Sequence, residues 1–238
     1  MSDRPRGPGH GRHTGWVGNP YWPLFDLRIR TPRLEIRLPT DEDLVQLIKV
    51  IDRGIHDPAT TPFLHPFTDT PPPQRDRDSL QWWWSGRANW KPDDWCFSGA
   101  VVVDGVLVGV QDLMAKDFST LRTVKTGSWL GLEHQGRGLG KEMRAAILHL
   151  AFAGLDAVEA YSGAFHDNEA SLATSRSLGY VETGDQLALR RGQADRMVNL
   201  KLDRTAWTLH RRSDIEIQGL EHCIDMFGLA LPGRGSQP

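Results

Sequence analysis

The chain is short of the features that mark an exported, membrane-bound or metal-dependent protein. Its 238 residues include only two cysteines, Cys96 and Cys223, too few for a disulfide framework. No apolar run is long enough to span a bilayer. Neither sign of charge prevails: 28 Lys and Arg face 30 Asp and Glu, a net charge of −2. No bulk field therefore draws the chain to nucleic acid or to an anionic membrane. The segment Met1–Pro20 is rich in Gly, Pro and Arg and lacks the apolar core of a secretory signal. With so little cysteine, the expected compartment is the reducing cytoplasm. His10 and His13 fall in that segment, and no His pair sits at helical metal-binding spacing, so no metal is expected. A G-x-S-x-G nucleophile elbow is missing. Cys96 lies in an expected strand and reads as a small core residue.

What is present suits one globular unit, with 39% hydrophobic residues and nine tryptophans. Residues 1–20 and 232–238 have almost nothing to bury and read as disordered tails. Between them, 21–231 reads as one domain, with an extension from about residue 203 that offers a surface for a homodimer or higher homo-oligomer contact. Tyr21 to Phe25 can anchor on the body. Leu27 to Arg30 and Leu34 to Leu38 read as one strand interrupted at Pro32. Thr40 to Asp43 resembles a capping box ahead of helical Leu44, Leu47, Ile48 and Ile51. Gln74 to Trp90 reads as helix with Leu80, Trp83, Trp84 and Arg87 near one face. Apolar β-branched runs on either side of Asp104-Gly105 predict a hairpin. A strand over Thr123 to Leu132 precedes a helix over Gly136 to Ala153, striped by Leu139, Met143, Ala146, Ile147 and Leu150. Ala157 to Ser162 is a short strand, with Val158, Ala160 and Ser162 on one side. Asn168 to Ser177 is a short helix closed by Gly179. Further strands start at Tyr180-Val181 and fill Leu187 to Leu202. Arg204 to His210 and Leu220 to Phe227 read as surface-packing additions. The order predicts an α+β (mixed α/β) class built on one sheet.

The chemistry concentrates at Gln135-Gly136-Arg137-Gly138-Leu139-Gly140-Lys141, between a strand and a helix. Glycines let the backbone turn tightly and approach a ligand. The first helical N–H groups have no partner inside the helix and, with the helix dipole, favour an anion. Three diphosphate motifs compete for these residues. The dinucleotide fingerprint needs a third glycine where Lys141 stands. The P-loop needs glycine in place of Gln135 and Ser or Thr in place of Glu142. The acetyltransferase pattern [Q/R]-x-x-G-x-[G/A] is met by Gln135, Gly138 and Gly140. Downstream, Asn168-Glu169-Ala170-Ser171 and Leu178-Gly179-Tyr180 complete a run of N-x-x-[AS] followed by a helix and G-[FY].

On these residues the chain resembles the GNAT N-acetyltransferase superfamily from Leu27 to about Leu202, most sharply from Gly127 to Tyr180. Trp22 to Leu27, Thr31 to Leu34, Gly127 to Gly131 and Met143 to Ala146 look like the actinobacterial RimJ/RimL-like branch, which includes succinyl-CoA as well as acetyl-CoA users. The resemblance implies the GNAT fold, a central mixed, mostly antiparallel sheet splayed between its fourth and fifth strands. It implies transfer of an acetyl or succinyl group from acyl-CoA to a primary amine on a small molecule or protein. It implies a pyrophosphate held by the backbone of Gln135, Gly136, Arg137, Gly138, Leu139, Gly140 and Lys141, with Asn168, Ser171 and Ser175 along the pantetheine arm. It implies a bulge near Trp129-Leu130-Gly131 that turns the Leu130 amide toward the thioester carbonyl, an oxyanion donor.

The place of the family's usual tyrosine acid, seven residues after the asparagine, is taken here by Ser175, and Tyr180 is the next aromatic hydroxyl. A general base would serve the amine, with Glu133, His134, Asp112, Asp117 and His56 as candidates and none fixed by a motif. Trp82, off the face of its helix, is expected as a lid or acceptor contact; Trp83 and Trp84 either pack in the core or line the acceptor site. Two other classes stay open: a non-catalytic acyl-CoA-binding sensor or interaction module, and a nucleotide-binding protein.

Overall fold

The computed structural model describes residues 19–230. Of the two expected tails, all but Asn19 and Pro20 lie outside the described residues.

One sheet organises the chain, with strand order β7-β8-β6-β5-β4-β3-β2-β1-β9. Its first strands are β1 (Arg28–Arg30) and β2 (Glu35–Arg37), which pair antiparallel with Ile29 opposite Ile36. The expected single strand broken at Pro32 is therefore a tight hairpin. The Thr31 N–H donates to the Leu34 carbonyl at 2.9 Å and reverses the chain there. Helix α1 (Asp41–Asp52) starts at a capping box: Thr40 Oγ1 accepts from the Asp43 N–H at 3.2 Å, and Asp43 Oδ2 accepts from the Thr40 N–H at 2.8 Å. Helix α2 follows over Gln74–Ala88.

The hairpin at Asp104-Gly105 joins β3 (Asp94–Val103) to β4 (Val106–Lys116), with φ of 50° and 78° at the two turn residues, as a two-residue turn of this type requires. After a short helix α3 (Phe118–Leu121) come β5 (Thr123–Leu130) and α4 (Leu139–His149). The end of α4 widens into a π-helical turn over Leu150–Gly154. Then β6 (Glu159–Phe165), α5 (Glu169–Arg176), β7 (Val181–Arg190) and β8 (Gln193–Asp203) finish the central unit. Val158 falls outside β6 and is exposed, unlike Ala160. Helix α6 (Arg204–His210) and the strand β9 (Glu216–Gln218) follow.

The C-terminal segment is more than a surface addition. β9 extends the sheet by pairing with β1, and Cys223 and Phe227 are completely buried. Phe227 meets Trp90 and Trp95 edge-on with ring centroids 5.4 and 4.9 Å away, and Trp22 meets Trp90 at 6.4 Å. Several of the tryptophans thus tie both ends of the described chain to β3, because large aromatic rings bury much surface for little entropy.

Two apolar layers sandwich the sheet. One is built on α4 with Met143, Ile147, Leu150 and Phe152 against Phe97, Leu113 and Val124. The other is built on α1 with Leu44, Leu47, Val50 and Trp83 against Ala100, Leu107 and Val110. Trp84 belongs to neither: it is 45% exposed and its Nε1 donates to Asp41 at 3.2 Å, so the expected shared face of Trp83 and Trp84 does not form.

Candidate active site

Strands β5 and β6 are parallel neighbours only over Thr123↔Glu159, Val124↔Ala160 and Lys125↔Tyr161. Beyond Lys125 they diverge. A cleft of about 910 Å³ opens between them, bounded by Thr126 to Leu130 on one side and Ser162-Gly163 on the other. Meanwhile β5 keeps an unbroken ladder to β4, from Met114↔Lys125 to Gly109↔Leu130. The expected bulge near Leu130 is absent, and the irregularity of this region sits between Val101 and Val102 instead. The Gly131 N–H donates to the Val108 carbonyl at 2.9 Å, so strand alternation turns the Leu130 amide the other way, toward the cleft. No bulge is needed to present it.

The cleft's mouth is the start of α4. Its N-cap is Gly138, with φ 78° and no side chain capping the first turn, so the leading amides are left for a ligand. Gly136 also has positive φ, 71°, and a methyl there would meet nothing within 4 Å. Gln135 pins this loop: its Nε2 donates to the Leu130 carbonyl at 2.8 Å and the Ile55 carbonyl at 2.9 Å. Glu142, in the first turn, accepts from Thr31 Oγ1 at 2.6 Å and Arg33 Nε at 2.5 Å, fastening the β1–β2 turn to α4. Burial raises the Glu142 carboxyl, but the bonds from Thr31 and Arg33 and the Arg33 charge outweigh it and hold its pKa low.

Of the residues singled out from sequence, Trp129, Leu130, Gln135, Gly136, Gly138, Gly140, Lys141, Asn168 and Ser171 border this cleft. Asn168 caps α5 by accepting from the Ser171 N–H at 3.2 Å. Arg137 and Leu139 do not border it: Arg137 is exposed, with its carbonyl accepting from Arg33 at 3.0 Å, and Leu139 is buried in the core. Ser175 and Tyr180 do not border it either. Ser175 is fully buried, and the hydroxyl of Tyr180, which is 4% exposed, has no hydrogen-bond partner among the described residues. Burial pushes the Tyr180 hydroxyl above its usual pKa.

Between those two residues and the cleft stands Arg144, a residue for which the sequence alone indicated no role of its own. Its guanidinium donates to Ser128 on β5 at 3.1 Å, to Ser162 on β6 at 3.3 Å and to Ser175 at 3.3 Å. It spans the two strands where the backbone ladder between them is missing. Among the described residues no carboxylate pairs with it, and its Nε has no partner. Burial lowers its pKa.

The candidate bases separate in space. Glu133 is on the surface, paired with Arg53 at 2.9 Å, and His134 leans on Glu133 at 3.4 Å. His56 borders the cleft, with Nε2 2.7 Å from Thr68 Oγ1. Asp117 is exposed, in the left-handed turn before α3. Asp112 is half-buried in the sheet and accepts from Ser98 Oγ at 2.6 Å. Burial pushes its pKa up to about 6, against the Ser98 bond, which lowers it. Cys96 is a poor nucleophile: burial, then the nearby charge of Asp112, push its thiol up to about 12.

On the α2 face a second cavity, of about 620 Å³, is bordered by Trp82, Trp83, Trp90, Trp95, Met114 and Lys125 among others. Trp82 stands 63% exposed at its edge; Trp84 borders neither cavity.

A sheet that splays beside an uncapped, glycine-opened helix is the architecture of a coenzyme-A-dependent acyltransferase. A family model described as an acetyltransferase (GNAT) domain matches residues 33–181, and the chain belongs to that family. Solved structures share the fold. RimJ of Mycobacterium smegmatis in complex with CoA-disulfide aligns at TM-score 0.66 and 15% identity, over 85% of this chain and 95% of that one. A RimL ribosomal L7/L12 α-N-protein acetyltransferase in complex with coenzyme A aligns at TM-score 0.60 and 16% identity, over 74% and 97%. A ribosomal-protein-S5-alanine acetyltransferase from Vibrio fischeri aligns at TM-score 0.59 and 18% identity, over 76% and 98%.

Proposed function

We propose that this protein is an N-acyltransferase that moves an acetyl or succinyl group from acyl-CoA directly to a primary amine. The observation that carries this reading is the uncapped N-terminus of α4 at the mouth of the β5–β6 cleft. A diphosphate would be held by the amides of residues 136–141, with Lys141 adding charge. Asn168 and Ser171 would meet the pantetheine arm, and the Leu130 amide would donate to the developing oxyanion. Acyl-CoA supplies an activated thioester; the protein orients it and excludes water.

The buried guanidinium of Arg144, with no carboxylate of its own, supports succinyl over acetyl as donor, since a dicarboxylic acyl group carries a matching charge. Ser175 and Tyr180 are reassigned by this reading. Ser175 supports Arg144 from behind the cleft and Tyr180 packs in the core there, neither touching the donor. The departing thiolate then leaves without a side-chain acid, which its ordinary pKa, roughly 8.5, permits.

Mixing acetyl-CoA or succinyl-CoA with a panel of amines and following free CoA thiol tests the assignment. Thiol release that depends on amine supports it. Tight CoA binding with no release for any amine would favour the non-catalytic sensor. Direct transfer is tested by Cys96→Ala, which should keep turnover within about threefold, because a thiol titrating near 12 is thiolate to only about one part in ten thousand at pH 8.

A further inference from the structure

Ser98, Asp112 and Gly127 lie side by side across three strands, as register partners on β3, β4 and β5. Asp112 lies two residues from Val110 and two from Met114, so it shares their face and points to the α2 side. Ser98 and Met114 line the α2-side chamber, whereas Gly127 lines the donor cleft. Asp112 itself borders neither cavity: it stands on the partition between them and reaches the chamber through Ser98, whose hydroxyl donates to it at 2.6 Å. Glycine at 127 keeps that partition thin: a methyl there would come within 3.3 Å of Asp112 Oδ2. Gly163, two residues beyond the last β5–β6 pair, leaves the facing edge of the cleft equally bare.

Resting on the acyltransferase reading, we propose that the α2-side chamber receives the acceptor and that Asp112 takes the proton from its amine. The ammonium gives one proton to the Asp112 carboxylate. The freed lone pair forms the N–C bond while the C–S bond breaks and its electrons leave on sulfur. The second proton passes from nitrogen through solvent to that sulfur, and Asp112 returns its proton to solvent. A carboxyl titrating near 6 is ionised at neutral pH and close enough to neutrality to accept efficiently. The titratable or charged groups on the elements around the chamber are Asp94 and Cys96 on β3, Lys116 on β4, Lys125 on β5, Tyr161 on β6 and Arg87 on α2. Arg87 is paired with Asp41 at 2.7 Å and Tyr161 donates to Glu159, but among the described residues Lys125 and Lys116, the register partner of Asp94, form no ion pair. The aromatic wall and the two lysines, which outnumber the single lining carboxylate of Asp94, select an amine carried on an apolar body that also bears an anionic group.

The experiment uses the full chain, phenylalanine and spermidine as acceptors, and the better donor. Asp112→Asn is expected to lower kcat/KM at least about 100-fold and to remove the acid limb near pH 6, with CoA affinity unchanged. Asp112→Glu should restore part of the rate together with the limb. Ser98→Ala, an independent variant, should move the limb upward, because the Ser98 bond lowers the Asp112 pKa. Gly86→Phe, on α2 where an added Cβ meets nothing within 4 Å and the ring would extend along the chamber wall, should raise the acceptor KM about tenfold and leave the donor KM alone. Asp112→Asn and Ser98→Ala enzymes with the wild-type pH profile, or a preference for spermidine over phenylalanine, would overturn the proposal. Absence of CoA binding in the wild type would instead sink the acyltransferase reading and this inference with it.

Discussion

Gln135 Nε2 holds the Leu130 carbonyl at 2.8 Å, so the strand that presents an amide to the cleft and the loop that opens α4 move as one piece. The same nitrogen reaches Ile55 across the cleft at 2.9 Å. Gln135→Ala leaves two carbonyls without that donor and frees the loop. Two lost bonds at about 1 kcal/mol each predict a CoA affinity about tenfold or more weaker, with a smaller loss of thermal stability. Calorimetric titration with CoA checks it, and an unchanged dissociation constant would remove Gln135 from the cradle.

The three glycines of the loop are not equivalent. Gly138 has φ 78°, where a side chain is strained, whereas Gly140 has ordinary φ and its added methyl would meet only Leu130 Cδ1 at 3.9 Å. Gly138→Ala should cost about 1 kcal/mol in stability and weaken CoA binding. Gly140→Ala should fold as the wild type does. Thermal melts with and without CoA separate the two, and equal effects would contradict the reading.

These local features were legible because each is written over a few residues. The capping box at Thr40 and Asp43, the turn at Asp104-Gly105, the cap at Asn168 and the positive φ of Gly179 all followed from short-range rules. What was not legible depends on distant pairing. Nothing near Ile217 says that it will lie beside Ile29, and Pro32 marks a break without saying whether the chain continues or reverses. Asp112 was one carboxylate among five candidates until the register set it between Ser98 and Gly127. Ser175 stands at the place of the family's usual tyrosine acid, and only the fold shows it buried against Arg144.

Glu142 provides a pH-dependent test of how the β1–β2 turn is held. Its folded pKa is depressed, so its contribution is present above the unfolded value, about 4.3, and is lost as pH falls through the folded value. Glu142→Gln should therefore destabilise by about 1–3 kcal/mol at pH 7. The gap from wild type should close on acidification below about pH 4. Urea unfolding at several pH values measures the gap, and a constant gap would mean that the ion pair with Arg33 is not its source.

Arg144 makes opposite predictions for the two donors. If it only braces β5 against β6, Arg144→Gln should slow acetyl and succinyl transfer equally. If a donor carboxylate meets it, succinyl-CoA should lose about tenfold or more in kcat/KM, the size of one charge-assisted bond, while acetyl-CoA stays within about threefold. The protein should not be much less stable, because a buried cation without a carboxylate is removed. Steady-state kinetics with both donors decides between the two.

Trp82 and Trp84 are neighbours in sequence with different surroundings, and this separates acceptor binding from surface packing. Trp82 projects at the edge of the α2-side chamber, whereas Trp84 lies over Asp41 at the start of α1. Removing Trp84 takes away one exposed hydrogen bond beside the Arg87–Asp41 pair, so Trp84→Ala should cost under about 1 kcal/mol of stability and leave both Michaelis constants alone. Trp82→Ala should leave stability unchanged, since the ring is mostly in water, but raise the acceptor KM severalfold by removing apolar area that closes only over a bound amine. The donor KM supplies the control: both cavities border the same sheet, and only a ring acting on the α2 side shifts one constant and spares the other. An unchanged acceptor KM in Trp82→Ala would exclude the lid.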